Sequence, residues 1–286
     1  MSLLILVSIC FAICLAEAAT TIRVVDGTLA STGQVVGRYT SSLQREVVDA
    51  LFAPVSPKNY SGVSLVDHTV LRYLELEGDY MCDEPLRLPS LFVLKLNGTL
   101  SEAENLTLTD RPRFSALVLL NKTSYSAVIG GTYNSSRYPT PAGSRGMQAI
   151  TIVDGHRNAV RNVRAVAGFE SAIGINGGSE NEVADSDVGG EDGNVSPARC
   201  IWTLSTDRAL VHGNHVHHCE KHALDFDAYT STSVAYNNLC EFNGEEGIFV
   251  EETANGNFVA NNVLRNNAQG IGVYSNAVGP GQNNFF

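Results

Sequence analysis

The sequence predicts an all-β chain that winds into a parallel β-solenoid, with a helix capping its N-terminal end. The main observation is a repeat in the C-terminal third, where the apolar anchors Ile201, Leu224, Ile248 and Ile271 are 23, 24 and 23 residues apart. A second set of positions keeps the same period: His215-Val216, Asn238-Leu239 and Asn262-Val263. A period of about two dozen residues is typical of coils that cannot bury their apolar faces alone and therefore stack on a shared core.

Residues 1–19 have the pattern of a secretory signal peptide. The apolar run at 3–15 is too short to span a bilayer, and Ala16-Glu17-Ala18 provides a small-x-small cleavage site. We therefore expect a secreted, extracellular protein with no membrane segment after cleavage. The rest of the chain divides into an N-terminal segment at 20–65 and a parallel β-helix at 66–286.

The N-terminal segment carries the predicted capping helix. Residues 41–52 have apolar side chains at helical spacing, and Pro54 and Pro57 follow them. Such a helix would cover the open end of the solenoid, whose unpaired strand edges would otherwise invite aggregation. At the other end, residues 283–286 fall in mid-coil with no capping element after them, so we expect a chain truncated at its C terminus.

Composition restricts the partners. The formal net charge is −11, and nucleic acid is excluded as a partner because phosphate binding needs clustered Lys and Arg. Asn-x-Ser/Thr sequons between residues 59 and 136 predict a glycoprotein with an exposed N-terminal half. The predicted glycosylation sites are Asn59, Asn97, Asn105, Asn121 and Asn134.

Four cysteines remain after removal of the signal peptide, namely Cys82, Cys200, Cys219 and Cys240. In a secreted chain they allow three disulfide pairings. We favour Cys219 with Cys240, because neighbouring coils bring such positions close together.

The repeat also predicts which side chains share an outer surface. If Leu224 and Phe226 point into the core, Asp225 and Asp227 point outward, since strand side chains alternate between faces. Stacking in register then forms three outer columns. They are Trp202–Asp225–Phe249–Gly272, Leu204–Asp227–Glu251–Tyr274 and Arg199–His222–Glu246–Gln269, with Lys221 at the edge.

This face is the predicted site. Crowded carboxylates can act as acid, base or nucleophile on glycosides, because crowding raises the pKa of at least one of them. The predicted catalytic residues are His222, Asp225, Asp227 and Glu251. The predicted substrate-binding residues are Arg199, Trp202, Lys221, Glu246 and Phe249, with the aromatic rings exposed as a surface for a sugar. No cofactor is required for this chemistry, although the same oxygens suit Ca²⁺, and an acidic solvated surface is the remaining alternative.

Five of the seven histidines lie within eleven residues, namely His212, His215, His217, His218 and His222. Their spacing lacks the HExxH pattern of a helical metal site. Adjacent strand residues face opposite ways, so we do not expect His217 and His218 to bind one metal. His215 is expected to share a column with Asn238 and Asn262, whose stacked amides would bond to turn backbone.

The segments Ala223–Asn238, Gly247–Thr253 and Asn257–Asn262 resemble the right-handed parallel β-helix repeats of the pectate-lyase-like superfamily. More narrowly, they resemble mannuronan (alginate) epimerases, which carry a Tyr-Gly-Phe-Asp-Pro-His-Asp stretch followed one coil later by a Gly-Ile-(apolar)-Val strand.

On that motif only Asp225 is identical. His222 falls where the epimerases have Tyr, Asp227 where they have the catalytic His, and Glu252 where they have Arg. The resemblance implies a right-handed parallel β-helix that acts on an extracellular polysaccharide, most simply as a uronate epimerase or lyase. A neutral-glycan hydrolase and a non-catalytic module that binds glycan or calcium remain open.

Overall fold

The computed structural model describes residues 20–25, 28–29, 72–82, 85–102, 116–135, 148–167, 170–190, 197–276, 279–280 and 283–286. Within these ranges every regular element is a β-strand. The predicted signal peptide, the predicted capping helix at 41–52 and the sequons at Asn59 and Asn105 lie outside them. No helix of the described part is long and apolar enough to cross a membrane.

The strands are numbered in chain order. Up to residue 135 they are β1 (Thr20–Val25), β2 (Thr28–Leu29), β3 (Arg72–Glu77), β4 (Tyr80–Cys82), β5 (Leu86–Arg87), β6 (Phe92–Asn97), β7 (Thr99–Glu102), β8 (Ala116–Asn121), β9 (Ala127–Ile129) and β10 (Thr132–Ser135). From 148 to 217 they are β11 (Gln148–Val153), β12 (Ala159–Arg161), β13 (Arg164–Ala167), β14 (Ser171–Asn176), β15 (Glu182–Ala184), β16 (Asp187–Gly189), β17 (Arg199–Leu204), β18 (Leu210–His212) and β19 (His215–His217). The remaining strands are β20 (His222–Phe226), β21 (Val234–Tyr236), β22 (Leu239–Glu241), β23 (Glu246–Val250), β24 (Phe258–Ala260), β25 (Val263–Arg265), β26 (Gln269–Val273), β27 (Ser275–Asn276) and β28 (Gly279–Pro280).

Three long sheets form the walls of the solenoid. The ten-stranded sheet has the order β2-β1-β3-β6-β9-β12-β15-β18-β21-β24. The histidine sheet is β4-β7-β10-β13-β16-β19-β22-β25, and the site sheet is β5-β8-β11-β14-β17-β20-β23-β26. Successive coils add one strand to each sheet, and strands of neighbouring coils pair in parallel. The predicted parallel β-helix is therefore confirmed, and β1 of the segment predicted at 20–65 extends the ten-stranded sheet by pairing with β3.

The core follows the predicted anchors. Ile201 pairs with Leu224, Leu224 with Ile248, and Ile248 with Ile271. All but Ile271 are buried. Burying each such side chain contributes about 1.5–3 kcal/mol, so a column of aliphatic residues stabilises the stack of coils without any contribution from the outer face.

The second predicted set is wrong by one residue. His215 pairs with Leu239, and it is Asn214 whose side chain bonds to Asn238. The reason is an extra residue in the turn after β20. Thr203 pairs with Phe226, 23 residues later, whereas Asp207 pairs with Ser231, so the later part of the coil repeats after 24 residues.

The stacked asparagines divide into two roles. Asn214, Asn238 and Asn262 form a ladder in which each side-chain amide donates to a backbone carbonyl, and the first two also donate to the side-chain oxygen of the next asparagine. Asn237 and Asn261 instead adopt positive φ angles of 55° and 54°. Asparagine tolerates this left-handed conformation, so these two residues make the turn while their neighbours make the ladder.

Replacing Asn238 by Ala should lower the free energy of unfolding by about 3 kcal/mol, because the ladder loses its amide and leaves buried partners at Asn214 and Val211 unsatisfied. Urea unfolding of the variant tests this loss. The matched control is Asn261→Gly, which should stay within about 0.5 kcal/mol because its side chain is exposed and glycine adopts positive φ freely. Equal losses in both variants would contradict the division of roles.

The favoured disulfide pairing is wrong. Cys219 pairs with Cys200, with their Cα atoms 5.7 Å apart, and Cys240 is buried and not disulfide-bonded. The register explains the difference. Cys240 on β22 pairs with Val216 on β19, and the residue of the next coil that lies beside Cys219 is Asn243. Burial raises the pKa of the Cys240 thiol.

Three of the predicted glycosylation sites fall on described strands. Asn97 and Asn121 are exposed at the ends of β6 and β8, and Asn134 is partly exposed on β10. Their glycosylation remains a prediction.

Candidate functional site

The predicted outer columns lie on β17, β20 and β23 of the site sheet. Asp225 pairs with Trp202 on one side and with Phe249 on the other, and Arg199 pairs with His222. The backbone ladder continues one residue past the strand ends, where the Asp227 N–H donates to Thr203 and the Glu251 N–H donates to Phe226. Leu224 and Phe226 fill the core, so the alternation of β20 directs Asp225 to the outer face.

Trp202 and Asp225 are not exposed as predicted. Trp202 is 1 % and Asp225 is 0 % exposed, because the Arg199 side chain lies over both. Arg199 Nε donates to Asp225 Oδ2, and the guanidinium carbon lies 5.3 Å from the centroid of the Trp202 ring. Trp202 therefore offers no open face to a sugar. Its Nε1–H instead donates to Asp227 Oδ2 over 2.8 Å.

Arg199 and Asp225 form a buried ion pair. Burial raises the pKa of Asp225 well above its usual range, against the opposing effect of the Arg199 guanidinium. Burial acts to lower the pKa of Arg199, but the carboxylates of Asp225, Asp227 and Glu251 raise it, so the guanidinium stays charged. Asp225 Oδ1 has no hydrogen-bond partner among the residues that the structure describes. Asp225 is too deep to touch a substrate, whereas the Arg199 side chain is 24 % exposed at the surface of the site.

Asp227 and Glu251 form a second pair. Burial, followed by the neighbouring Asp227 carboxylate, raises the pKa of Glu251 to about 7, and the two side chains share a hydrogen bond. The Asp227 oxygens also accept the Trp202 indole N–H and, over 2.6 Å, the Ala228 backbone N–H. These donors hold the Asp227 carboxylate in place. Glu251 thus carries a proton near neutral pH, and its side chain is 15 % exposed.

His222 forms a dyad with Glu246. Its Nδ1 lies 2.7 Å from Glu246 Oε2, its Nε2 lies 3.5 Å from Glu245 Oε2, and its ring stacks on Phe249 with centroids 4.3 Å apart. Burial lowers the pKa of His222, although Glu246 acts to raise it. A neutral ring that donates Nδ1–H to Glu246 leaves Nε2 as a proton acceptor.

The surface that can meet a sugar differs from the predicted one. Phe249 is partly exposed and Tyr274 is half exposed, with ring centroids 6.4 Å apart. Lys221 is exposed at the start of β20, whereas His222 and Glu246 are buried. We assigned no role to Tyr274 from the sequence, although its place in the Glu251 column was a sufficient signal.

A metal ion has few donors here. The nearest oxygens of Asp225, Asp227 and Glu251 all lie within 4.8 Å of one another. Calcium takes about 6–8 oxygen ligands, and one Asp225 oxygen already bonds to Arg199. The Arg199 guanidinium already lies among these three carboxyl groups. The arrangement therefore suits proton transfer better than it suits calcium binding.

A family model described as the right-handed β-helix region matches residues 140–285, which is half of the chain. The chain belongs to the right-handed β-helix family. This match confirms the predicted handedness and the resemblance on which it was based. No curated protein sequence matches the chain.

Solved structures share the fold at low identity. The Dettilon tailspike protein matches with a TM-score of 0.53 and 12 % identity over 85 % of this β-helix chain and 50 % of its own. The chain thus spans about half the length of that tailspike. The Streptococcus pneumoniae surface protein and adhesin PfbA matches at TM-score 0.49 and 12 % identity, over 88 % and 95 % of the two chains. The A-module of an Azotobacter vinelandii mannuronan C-5 epimerase matches at 0.29 and 11 %, over 86 % and 94 %, so the resemblance to epimerases is distant.

Proposed function

We propose that the protein is a secreted enzyme that hydrolyses an extracellular polysaccharide, with Glu251 as general acid and Asp227 as nucleophile. The observation that carries this proposal is the carboxyl pair itself. Glu251 has a pKa of about 7 and shares a hydrogen bond with Asp227. Two carboxyl groups in different environments are the machinery of glycoside hydrolysis. The predicted signal peptide and sequons support an extracellular location.

The separation of the two groups favours a retaining reaction. Their nearest oxygens lie within 4.8 Å of each other, which is below the roughly 6.5–9.5 Å that inverting enzymes need to place a water between the two groups. Asp227 would attack the anomeric carbon while Glu251 protonates the departing glycosidic oxygen. The Glu251 carboxylate would then take a proton from water, whose oxygen displaces Asp227 from the glycosyl ester.

The charge of the surface favours a neutral glycan. Arg199 is engaged by Asp225, whereas Asp227, Glu245 and Glu246 crowd the same surface. A polyanionic chain would be repelled by these carboxylates. The neighbouring rings of Phe249 and Tyr274 provide an apolar surface for a sugar.

Uronate epimerisation or elimination is the second candidate, and the His222–Glu246 dyad favours it. His222 Nε2 would take the proton from C-5, and Arg199, next to His222 in register, would oppose the uronate carboxylate. Glu251 would supply the proton, either to the opposite face of the sugar or to the leaving oxygen. We place this candidate below hydrolysis because the acidic surface would repel a polyuronate chain.

The deciding experiment incubates the secreted chain with neutral polysaccharides and with polymannuronate, with and without Ca²⁺. New reducing ends that Glu251→Gln abolishes and the control Glu220→Gln retains would support hydrolysis, since Glu220 is an exposed carboxylate that precedes β20. Absorbance near 235 nm would indicate a lyase, and a guluronate signal in the proton NMR spectrum an epimerase. Glycan or calcium affinity without turnover would indicate a binding module and overturn the proposal.

The pH dependence follows from the pKa of Glu251. Activity should fall as pH rises through about 7, because the acid loses its proton. Its contribution to stability follows the same sign: it is present at low pH and lost as pH rises through 7. Glu252→Gln should move the basic limb of kcat/KM to lower pH, since the Glu252 charge raises the pKa of Glu251. If Glu252→Gln leaves the basic limb of the pH profile unchanged, that limb reports the titration of a group other than Glu251.

A further inference from the structure

A second cluster of possible ligands lies on the histidine sheet, away from the proposed active site. Asp187 on β16 pairs with His215 on β19, and His217 points to the same outer face two residues later. Val216 between them is buried in the core. Each of Asp187, His215 and His217 offers one ligand atom, and these three atoms lie within 4.8 Å of one another.

Two of the three separations between the ligand atoms are close to those of a coordination shell. Asp187 Oδ1 lies 2.9 Å from His217 Nε2 and 3.2 Å from His215 Nδ1. Ligands about 2.0–2.1 Å from a tetrahedral zinc ion are about 3.3 Å apart. A small ion therefore fits among these atoms with little side-chain movement.

The ring nitrogen of His215 that does not face Asp187 also has a carboxylate partner. His215 Nε2 lies 2.9 Å from Glu241 Oε1, and Glu241 is held in turn by Arg265 Nε over 2.5 Å. Metal-binding histidines commonly donate the second ring N–H to a carboxylate, which fixes the tautomer and the ring orientation. Glu241 is placed for this role on the next coil.

His217 is held from two directions. Its Nδ1 lies 2.8 Å from His218 Nδ1, and His218 stacks on Phe242. His218 lies beyond the end of β19 and bends back towards His217 because its φ is 53°. Gly189, next to His217 in register, keeps room for the His217 backbone, since a Cβ there would come within 1.9 Å of the His217 carbonyl oxygen.

We propose that Asp187, His215 and His217 bind a divalent transition-metal ion of the zinc class, with Glu241 orienting His215. Two imidazoles and one carboxylate match the donor preference of zinc, copper and nickel, and not that of calcium or magnesium. Asp187 and His215 are each 43 % exposed, so the remaining coordination position opens to solvent. Three protein ligands with an open position are typical of a reactive zinc centre rather than of a closed structural one.

The test titrates the chelator-treated, tag-free chain with ZnCl₂ by calorimetry and with CoCl₂ by visible absorption. One ion per chain is expected, with Co²⁺ giving d–d bands of four- or five-coordinate geometry. His217→Gln and Asp187→Asn should each weaken Zn²⁺ binding at least 100-fold, and Glu241→Gln by about 10–100-fold.

The matched control is His212→Gln, because His212 also bonds to a carboxylate, Glu182, but lies on the ten-stranded sheet outside the cluster. This variant should bind Zn²⁺ like the unmodified chain. Absence of stoichiometric binding, or affinity within threefold in the Asp187→Asn variant, would overturn the proposal. Asp187 is well exposed, so its variant keeps the test valid if His217→Gln fails to fold, which circular dichroism reports.

Discussion

Glu251→Gln is expected to lower kcat on the polysaccharide about 10³-fold while leaving KM nearly unchanged. The amide has the shape of the carboxyl group and can still bond to Asp227, but it cannot give a proton to the glycosidic oxygen. General acid catalysis contributes about 10²–10⁴-fold, and the pKa of about 7 gives Glu251 its proton at neutral pH. Initial rates over a range of substrate concentrations measure both constants.

The type of leaving group separates an acid role from a structural one. An aryl glycoside of the same sugar has a leaving group that needs little protonation, so Glu251→Gln should slow its cleavage far less than that of the polymer. Glu220→Gln should leave both rates unchanged. An equal loss on both substrates would show that Glu251 supports the fold of the site instead of protonating the leaving group.

Arg199→Gln is expected to lower the free energy of unfolding by about 3–5 kcal/mol, because it leaves the buried Asp225 without its counter-charge. Asp225 is fully buried, and within the described ranges its carboxyl group forms a salt bridge with Arg199 alone. The double variant Arg199→Gln/Asp225→Asn should recover a large part of the loss, since the remaining amide carries no charge. Urea unfolding of the single and double variants measures this coupling.

The loss should also depend on pH. The folded-state pKa of Asp225 is raised, so its protonated form is favoured in the folded chain and the deficit of Arg199→Gln should shrink as pH falls. The control is Arg208→Gln, whose half-exposed ion pair with Glu180 is worth about 0–1 kcal/mol. An Arg199→Gln variant no less stable than this control would mean that the buried pair does not stabilise the fold.

Much of the architecture could be predicted because the repeat is local. Ile201, Leu224, Ile248 and Ile271 recur at the period of one coil, and the first three are buried in the shared core. The alternation of strand side chains then places Asp225 and its column neighbours on the outer face. For the same reason the register of the site sheet was correct, whereas one extra residue in the turn after β20 displaced the predicted column of His215.

Burial and pairing on the outer face could not be predicted from spacing. The reach of one long side chain, Arg199, covers Trp202 and Asp225, and no periodic pattern records where such a side chain lies. The partner of Cys219 likewise depends on the geometry of a corner, where Cys200 lies close and Cys240 is displaced along the strand.

The sequence by itself determined the stacked coils, the columns of the site sheet and the acidic character of that face, because these follow from a period and an alternation. Only the tertiary structure decided which of those carboxyl groups is buried against Arg199 and which shares a proton, and that His215 and His217 converge on Asp187. The physical reason is that protonation and metal coordination depend on distances between individual atoms and on the exclusion of solvent. A repeat brings residues of neighbouring coils to within several ångströms of one another, but it does not set those distances.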